Sequence, residues 1–279
     1  MLSKQASHGS KIQARTEESA NFMNGLKLLQ LAATMLTEEP KDKEAAKALA
    51  GMAKERFIKA SESARVRGAS FEAAIAANNA AAAVSIISDN LADELGMLDT
   101  TIERLREAAP KVESGEIEVN AFVSVVKGLD THLYIHLQKR GEKLLDEKVV
   151  GLMLKCTDLL QPMMEQTENN IELIGLIGMR GILRAIALGD GKDKEDGLAE
   201  IHADALNSFK ALVNKLEQKG GDEEKRLVGM LRSTIMPEFN QTFKLLRGSS
   251  GGGRDLKDVA KWLEKTDPND PKNGIPIHG

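Results

Sequence analysis

The chain has 279 residues, of which 42% are hydrophobic, 29% charged and only 3% aromatic, so it is long enough for one large or two ordinary cores. A formal net charge of −4 and a pI near 5.9 exclude the basic surface that nucleic-acid binding requires. A single cysteine, Cys156, excludes an internal disulfide framework and a cysteine-built zinc site.

The composition also predicts the fold class. Alanine, leucine, glutamate and lysine are abundant, and these residues favour helices over sheets. We therefore predict an all-α protein, an elongated helical bundle. The sequence has no segment typical of a signal peptide and no apolar run of membrane-spanning length, so the chain is expected to be soluble, with any membrane tether outside it.

In the first half, apolar residues at helical spacing predict helices over about 16–36 and 41–66, the second ending at Gly68. A third helix begins near Ser70. We expect it to break at residues 96–100, restart at a capping box formed by Thr100 and Glu103, and end at Pro110.

After a turn at residues 113–115, a helix is predicted to reach about residue 148. The next covers about 150–188, where Pro162 kinks or divides it. Helices over about 193–219 and 222–247 follow, the last bent at Pro237. A Gly/Ser linker, a short helix and an irregular tail complete the chain at 249–279.

The tetrapeptide K-D-K-E occurs twice, at residues 41–44 and 192–195, and the offset of 151 also aligns three helix boundaries. This pattern indicates two tandem four-helix modules, of which the second has a short or missing last helix. The predicted organisation is a flexible N-terminus (1–15), a first module (16–149) and a second module (150–248), followed by the linker and tail (249–279).

The most distinctive stretch is residues 172–190, written E-L-I-G-L-I-G-M-R-G-I-L-R-A-I-A-L-G-D. Its only charges between the acidic ends are Arg180 and Arg184, which lie four apart and therefore share one face of a helix. Two interpretations stay open: the arginines bind a ligand carboxylate, or they either extend to the surface or pair with glutamates of a neighbouring helix. A row of glycines at spacing three allows another helix to pack closely, from the same chain or from a second subunit: Gly175, Gly178 and Gly181.

Residues 171–246 also contain the runs M-R-G-I-L-R-A-I-A-L-G-D, D-G-L-A-E-I-H-A-D-A-L and E-E-K-R-L-V-G-M-L-R-S-T-I-M-P-E-F. This half of the chain resembles the four-helix-bundle ligand-binding domain of bacterial methyl-accepting chemotaxis receptors. In that family, an arginine-bearing apolar segment and an acidic turn precede two amphipathic helices.

The resemblance implies a periplasmic signal-transduction sensor that works as a homodimer and binds a small anionic ligand, an organic acid or an amino acid. Arg180 and Arg184 would form its cationic site, and no cofactor is implied. The alternative is a non-enzymatic helical scaffold, or protein-interaction module, that needs no small ligand and is cytoplasmic.

Other chemistries find little support. His132 and His136 lie four apart and could ligate a metal, but no H-E-x-x-H or E-x-x-H pattern accompanies them, so no metal site is predicted. The sequence has no nucleophile and base pairing and no phosphate-binding loop. We expect no catalytic residues and no enzymatic activity.

Overall fold

A computed structural model describes residues 2–37, 42–88, 91–139, 147–188 and 194–248, with side chains from residue 15 onward except 91, 131, 132, 134–139, 194 and 246–248. These residues form helices and no strands, which confirms the all-α prediction. The helices are α1 (Leu2–Thr37), α2 (Lys43–Val66), α3 (Ser70–Ile87), α4 (Leu91–Glu113), α5 (Val119–Lys139), α6 (Glu147–Gln166), α7 (Asn170–Ala187), α8 (Lys194–Lys219), α9 (Asp222–Met230) and α10 (Met236–Gly248).

Three predicted turns end helices in the expected way. Gly68, Gly115 and Gly220 follow helices α2, α4 and α8 and have φ angles of 77°, 78° and 71°. Glycine adopts this left-handed conformation without the steric penalty that a Cβ imposes. At the other end of α2, the Asp42 side chain caps the helix by accepting a hydrogen bond from the Ala45 backbone N–H at 2.9 Å.

The predicted break at residues 96–100 is wrong. Helix α4 runs through it, and the Thr100 hydroxyl donates to the Gly96 carbonyl within the helix at 3.0 Å instead of capping a new one. The break lies earlier, where Ser88 adopts an extended conformation after α3. Pro110 does not end the helix either, because α4 continues to Glu113.

The helix predicted over 150–188 is two helices, and Pro162 does not divide them because it lies inside α6. The separation comes at Glu168, whose φ angle of 55° is left-handed, and at Asn169, whose side chain caps α7. Near Pro237, the segment Leu231–Ile235 is π-helical and joins α9 to α10. A π-turn accommodates the hydrogen bond that a proline removes from a helix.

By their internal contacts, the residues divide into unit 1 (Met1–Leu129) and unit 2 (Asp130–Gly279). This division falls within α5 rather than at the predicted 149/150 boundary. Helix α1 begins at Leu2, so the stretch predicted as a flexible N-terminus up to residue 15 is helical from that residue on. The predicted linker, short helix and tail at 249–279 lie outside the described residues.

In unit 1, α2 packs against α1 and α3, and α3 packs against α4. Its core combines small and aromatic side chains: Ala53, Phe57, Ala80 and Ala83 are fully buried, and Phe22 packs edge-on against Phe57 with ring centroids 5.7 Å apart. In unit 2, α7 packs between α6 and α8, and α10 contacts α7 and α8. Helix α6 therefore completes unit 2. It precedes α7 and α8, whereas the missing helix of the second module was expected at its end.

The repeat is visible in the burial of α2 and α8. Phe57 and Phe209 are both fully buried, Ala53 and Ala205 are both buried, and Gly68 and Gly220 both have positive φ; each pair is 152 positions apart. The offset between α2 and α8 is thus 152 residues, one more than the offset of 151 between the two K-D-K-E tetrapeptides. The connection from α7 to α8 is correspondingly one residue longer than that from α1 to α2.

One helix of the described part, α3, is long and apolar enough to span a membrane by length and composition, with a mean hydropathy of 1.3. Half of it is buried within the protein, where its alanines face α2 and α4. A core helix of a soluble bundle has the same properties.

Candidate functional site

Helix α7 carries the two predicted arginines on the margin of a buried apolar surface. Most of its aliphatic side chains are less than one tenth exposed: Leu173, Ile174, Leu176, Ile177, Ile182, Leu183, Ala185 and Ile186. Arg180 and Arg184 remain 41% and 37% exposed. Because they lie one turn apart, both guanidinium groups leave the helix on the same side.

Each arginine contacts an aspartate from a different neighbouring helix. Arg180 Nε lies 2.9 Å from Asp158 Oδ1 of α6, and its Nη1 donates to Gln161 Oε1 at 3.3 Å. Arg184 Nη1 lies 3.2 Å from Asp204 Oδ2 of α8. Both arginines therefore pair with carboxylates of neighbouring helices, as the second interpretation predicts, but the expected glutamates are wrong because the partners are aspartates.

The same two arginines line a groove of about 240 Å³ between α7 and its neighbours. The groove has a polar wall, made by Gln161 of α6 and by Asp204, Asn207 and Ser208 of α8. Amide and hydroxyl groups both donate and accept hydrogen bonds, so the wall can orient a polar ligand. Its floor includes Gly181.

Gly181 and Gly175, two of the predicted glycines, differ in how closely other residues pack against them. A Cβ atom at Gly181 would lie 2.9 Å from Phe239 Cζ and 3.2 Å from Ala205 Cβ, closer than carbon atoms normally approach. At Gly175, by contrast, a Cβ would have no neighbour within 4 Å. The glycine row is therefore not one continuous packing surface, and the expectation of close packing is wrong for Gly175.

Behind the groove lies an aromatic cluster that the sequence did not reveal. The His202 ring stacks on Phe243 and Phe239, with centroids 4.9 Å and 5.8 Å apart, and Phe209 meets Phe239 edge-on at 5.4 Å. His202 Nε2 lies 2.7 Å from Asn240 Oδ1. The cluster supports Phe239, which in turn fixes how closely α10 approaches Gly181. The spacing of Phe239 and Phe243, four apart, was the available signal.

Unit 2 also buries a carboxyl group that lacks a hydrogen-bond partner at one oxygen, Asp130 Oδ1. Burial raises the pKa of Asp130 to about 6. Burial also raises the pKa of the Cys156 thiol, and the negative charge of Asp130 adds to that effect. Cys156 is therefore held in its thiol form, which is poorly nucleophilic.

The side chains of the predicted histidine pair, His132 and His136, lie outside the described residues. Within the part of the chain whose side chains are described, no three His, Cys, Asp or Glu residues come together in an arrangement able to hold a metal ion.

Comparisons of the chain with known protein families, with curated proteins and with solved structures found no significant match.

Proposed function

We propose that the groove of unit 2 binds a small carboxylate-bearing ligand, an organic acid or an amino acid, as the sensory step of a chemoreceptor-like signalling protein. The observation that carries this proposal is that Arg180 and Arg184 line one groove together with amide and hydroxyl side chains. A guanidinium has five N–H donors in a fixed plane, which matches the two oxygens of a carboxylate.

The existing aspartate contacts leave donors for a ligand. Arg180 contacts protein groups through Nε and Nη1, and Arg184 does so through Nη1. Both side chains are more than one third exposed, so an exchange of partners costs little, since exposed ion pairs contribute only about 0–1 kcal/mol.

The mixed charge of the groove favours an amino acid within this class. Asp204 lines the groove beside Arg184, so a carboxylate and an ammonium group can each meet an opposite charge there. A dicarboxylate would instead meet Asp204 as a like charge, which is unfavourable. We therefore expect zwitterions to bind more tightly than dicarboxylates of similar size.

Signalling under this proposal proceeds through α7. A ligand that withdraws Arg180 from Asp158 and Arg184 from Asp204 changes contacts of α7 with both α6 and α8 at once. A small shift of a packed helix is an established way of transmitting ligand binding. A periplasmic location and a homodimer belong to the same proposal, and light scattering of the purified chain tests the dimer.

The decisive experiment is a thermal-shift screen of amino acids, organic acids and inorganic anions against the whole chain. We expect a stabilising ligand whose Kd weakens by about tenfold or more in Arg180→Gln and Arg184→Gln, because each substitution removes a charge-assisted contact. Arg232→Gln is the matched control, since Arg232 is an exposed arginine of the same unit that pairs with Glu217 at 2.8 Å. A ligand response that is equal in all variants contradicts the proposal.

The scaffold alternative is favoured by one observation, the aspartate partner that each arginine already has. If the two pairs only connect helices, the screen yields no ligand. Arg180→Gln and Asp158→Asn should then each lower the midpoint of thermal unfolding. The double variant should lower this midpoint by less than the sum of the two single effects. That outcome would support the scaffold reading.

A further inference from the structure

Unit 1 contains a second groove, formed where α1, α2 and α3 meet. It has a volume of about 300 Å³, which lies at the lower end of the range of small-molecule sites. Its wall is mainly apolar: Phe22, Met23, Ala60, Ile75 and Ala76. Met23 is 52% exposed although it adjoins buried residues, so the groove leaves apolar surface in contact with water.

Two glutamates also line this groove, and they differ in how they are neutralised. Glu18 is only 8% exposed and accepts hydrogen bonds from Arg67 Nη2 at 2.8 Å and from Arg67 Nε at 3.2 Å. Glu72 is exposed and, among the described residues, makes no hydrogen bond or ion pair.

Arg67 is held by Glu18 rather than by Glu72. The Arg67 guanidinium meets Glu18 in a two-bond contact, which is the strongest geometry for this pair. The hydrogen bond with Glu18 raises the pKa of Arg67, and the negative charge of Glu72 contributes less. Within the described part of the chain, Glu18 therefore has a direct ion pair with Arg67, whereas Glu72 has none.

We propose that the groove of unit 1 binds a small lipophilic monocation, an ammonium group on a short apolar body. The apolar body fills the space between Phe22 and Ile75, where the removal of apolar surface from water favours binding. The ammonium group meets the Glu72 carboxylate at the edge of the groove. This site lies on unit 1 and does not depend on the arginine groove of unit 2.

Both parts of the ligand are needed for this fit. An alcohol with the same apolar body leaves Glu72 without a partner, and a carboxylate of that size brings a like charge towards Glu72 and Glu18. A cation without an apolar body leaves the exposed Met23 surface in water. The expected order of affinity is amine, then alcohol, then carboxylate.

The test uses the full chain with ¹³C-methyl-labelled methionine, because Met23 reports on the groove directly. We titrate hexylammonium, hexanol and hexanoate and follow the methyl signals by NMR. We expect the Met23 signal to shift first with hexylammonium, and hexanol to bind several-fold more weakly. In Glu72→Gln the Kd for hexylammonium should rise by up to about fivefold, as expected for one exposed ion pair.

Two further variants complete the design. Ser19→Leu places a larger side chain at an exposed position lining the groove and should abolish the Met23 shift without disturbing the core. Glu55→Gln removes an exposed glutamate of α2 outside the groove and should leave the titration unchanged. Equal binding of hexanol and hexylammonium, an unchanged Kd in Glu72→Gln, or no shift of Met23 would each overturn the proposal.

Discussion

At the scale of single residues, two glycines of α7 provide a matched pair. Gly181→Ala should destabilise the protein by about 1–3 kcal/mol, because the new methyl group meets the fully buried ring of Phe239 at 2.9 Å. Gly175→Ala should instead stabilise it by about 0.5–1 kcal/mol, since its methyl group has open space and alanine favours the helix. Urea unfolding measures both.

The critical result is that Gly181→Ala lowers the free energy of unfolding whereas Gly175→Ala raises it. If the two substitutions have the same effect on the free energy of unfolding, α10 does not approach Gly181 as closely as described. Gly151→Ala, on α6 and also with no neighbour within 4 Å, provides a second control.

Asp130 predicts a specific pH dependence. Its pKa is about 6 in the folded protein and ordinarily near 3.8, so the folded state holds the proton more tightly than the unfolded chain. Its contribution to stability is therefore full below about pH 4 and is lost as the pH rises to about 6. The loss is at most about 3 kcal/mol, from roughly 1.4 kcal/mol for each pKa unit.

Asp130→Asn should remove the loss of folding stability that accompanies a rise in pH to about 6. The variant should be more stable than the natural chain at pH 7.5, by about 1–3 kcal/mol, and nearly equal to it at pH 4. Chemical denaturation at both pH values gives the difference, and Asp196→Asn, an exposed aspartate of α8, is the control. A constant difference between the two pH values would show that Asp130 does not titrate in this range.

The candidate site was predictable from the sequence only in part. Two arginines four apart on one helix must share a face, and the structure indeed brings Arg180 and Arg184 to one groove. Their partners Asp158 and Asp204 belong to other helices, and which aspartates meet them depends on how α6, α7 and α8 are rotated. Helix rotation is set by the packing of many side chains together, so it has no local signal.

At the scale of helices, the cap of α2 is a direct target. Asp42→Ala should cost about 1 kcal/mol of unfolding free energy, because the Ala45 N–H loses its acceptor at the start of the helix. Asp42→Asn should cost little, since asparagine caps almost as well. Thermal unfolding followed by circular dichroism compares the two, and equal losses would indicate a role for the charge rather than for the hydrogen bond.

The helix ends show which local signals are sufficient. Gly68 and Gly220 follow helix ends as predicted, and the predicted turn at Gly115 is also present, because the backbone at these positions has a positive φ that glycine adopts without strain. Thr100 and Pro110 misled the prediction, because a capping residue and a proline also occur inside helices when packing favours continuation. The turn between α6 and α7 has a positive φ at Glu168, although glutamate is not a residue type that predicts a turn. The Glu168 carboxylate lies 2.6 Å from Lys219 Nζ.

At the scale of the whole molecule, the division into two units predicts that a destabilising substitution increases hydrogen exchange only in the unit that contains it. Gly181→Ala should raise hydrogen exchange in α6 to α10 and leave α1 to α4 unchanged. Phe57→Ala, which empties a fully buried position of unit 1, should do the opposite. Mass spectrometry of exchanged peptides locates the effect, and exchange that rises throughout the chain in both variants would show a single cooperative unit.

The repeated pattern of buried residues gives unit 1 positions that correspond to three charged residues of the arginine site. Leu29 and Ala33 occupy the places of Arg180 and Arg184 at the offset of 151, and the exposed Met52 takes the place of Asp204 at the offset of 152. The triple variant Leu29→Arg, Ala33→Arg, Met52→Asp would transplant three charges onto a related scaffold. Binding of the ligand to unit 1 of this variant would show that these three side chains suffice without a counterpart of Asp158 or Gln161.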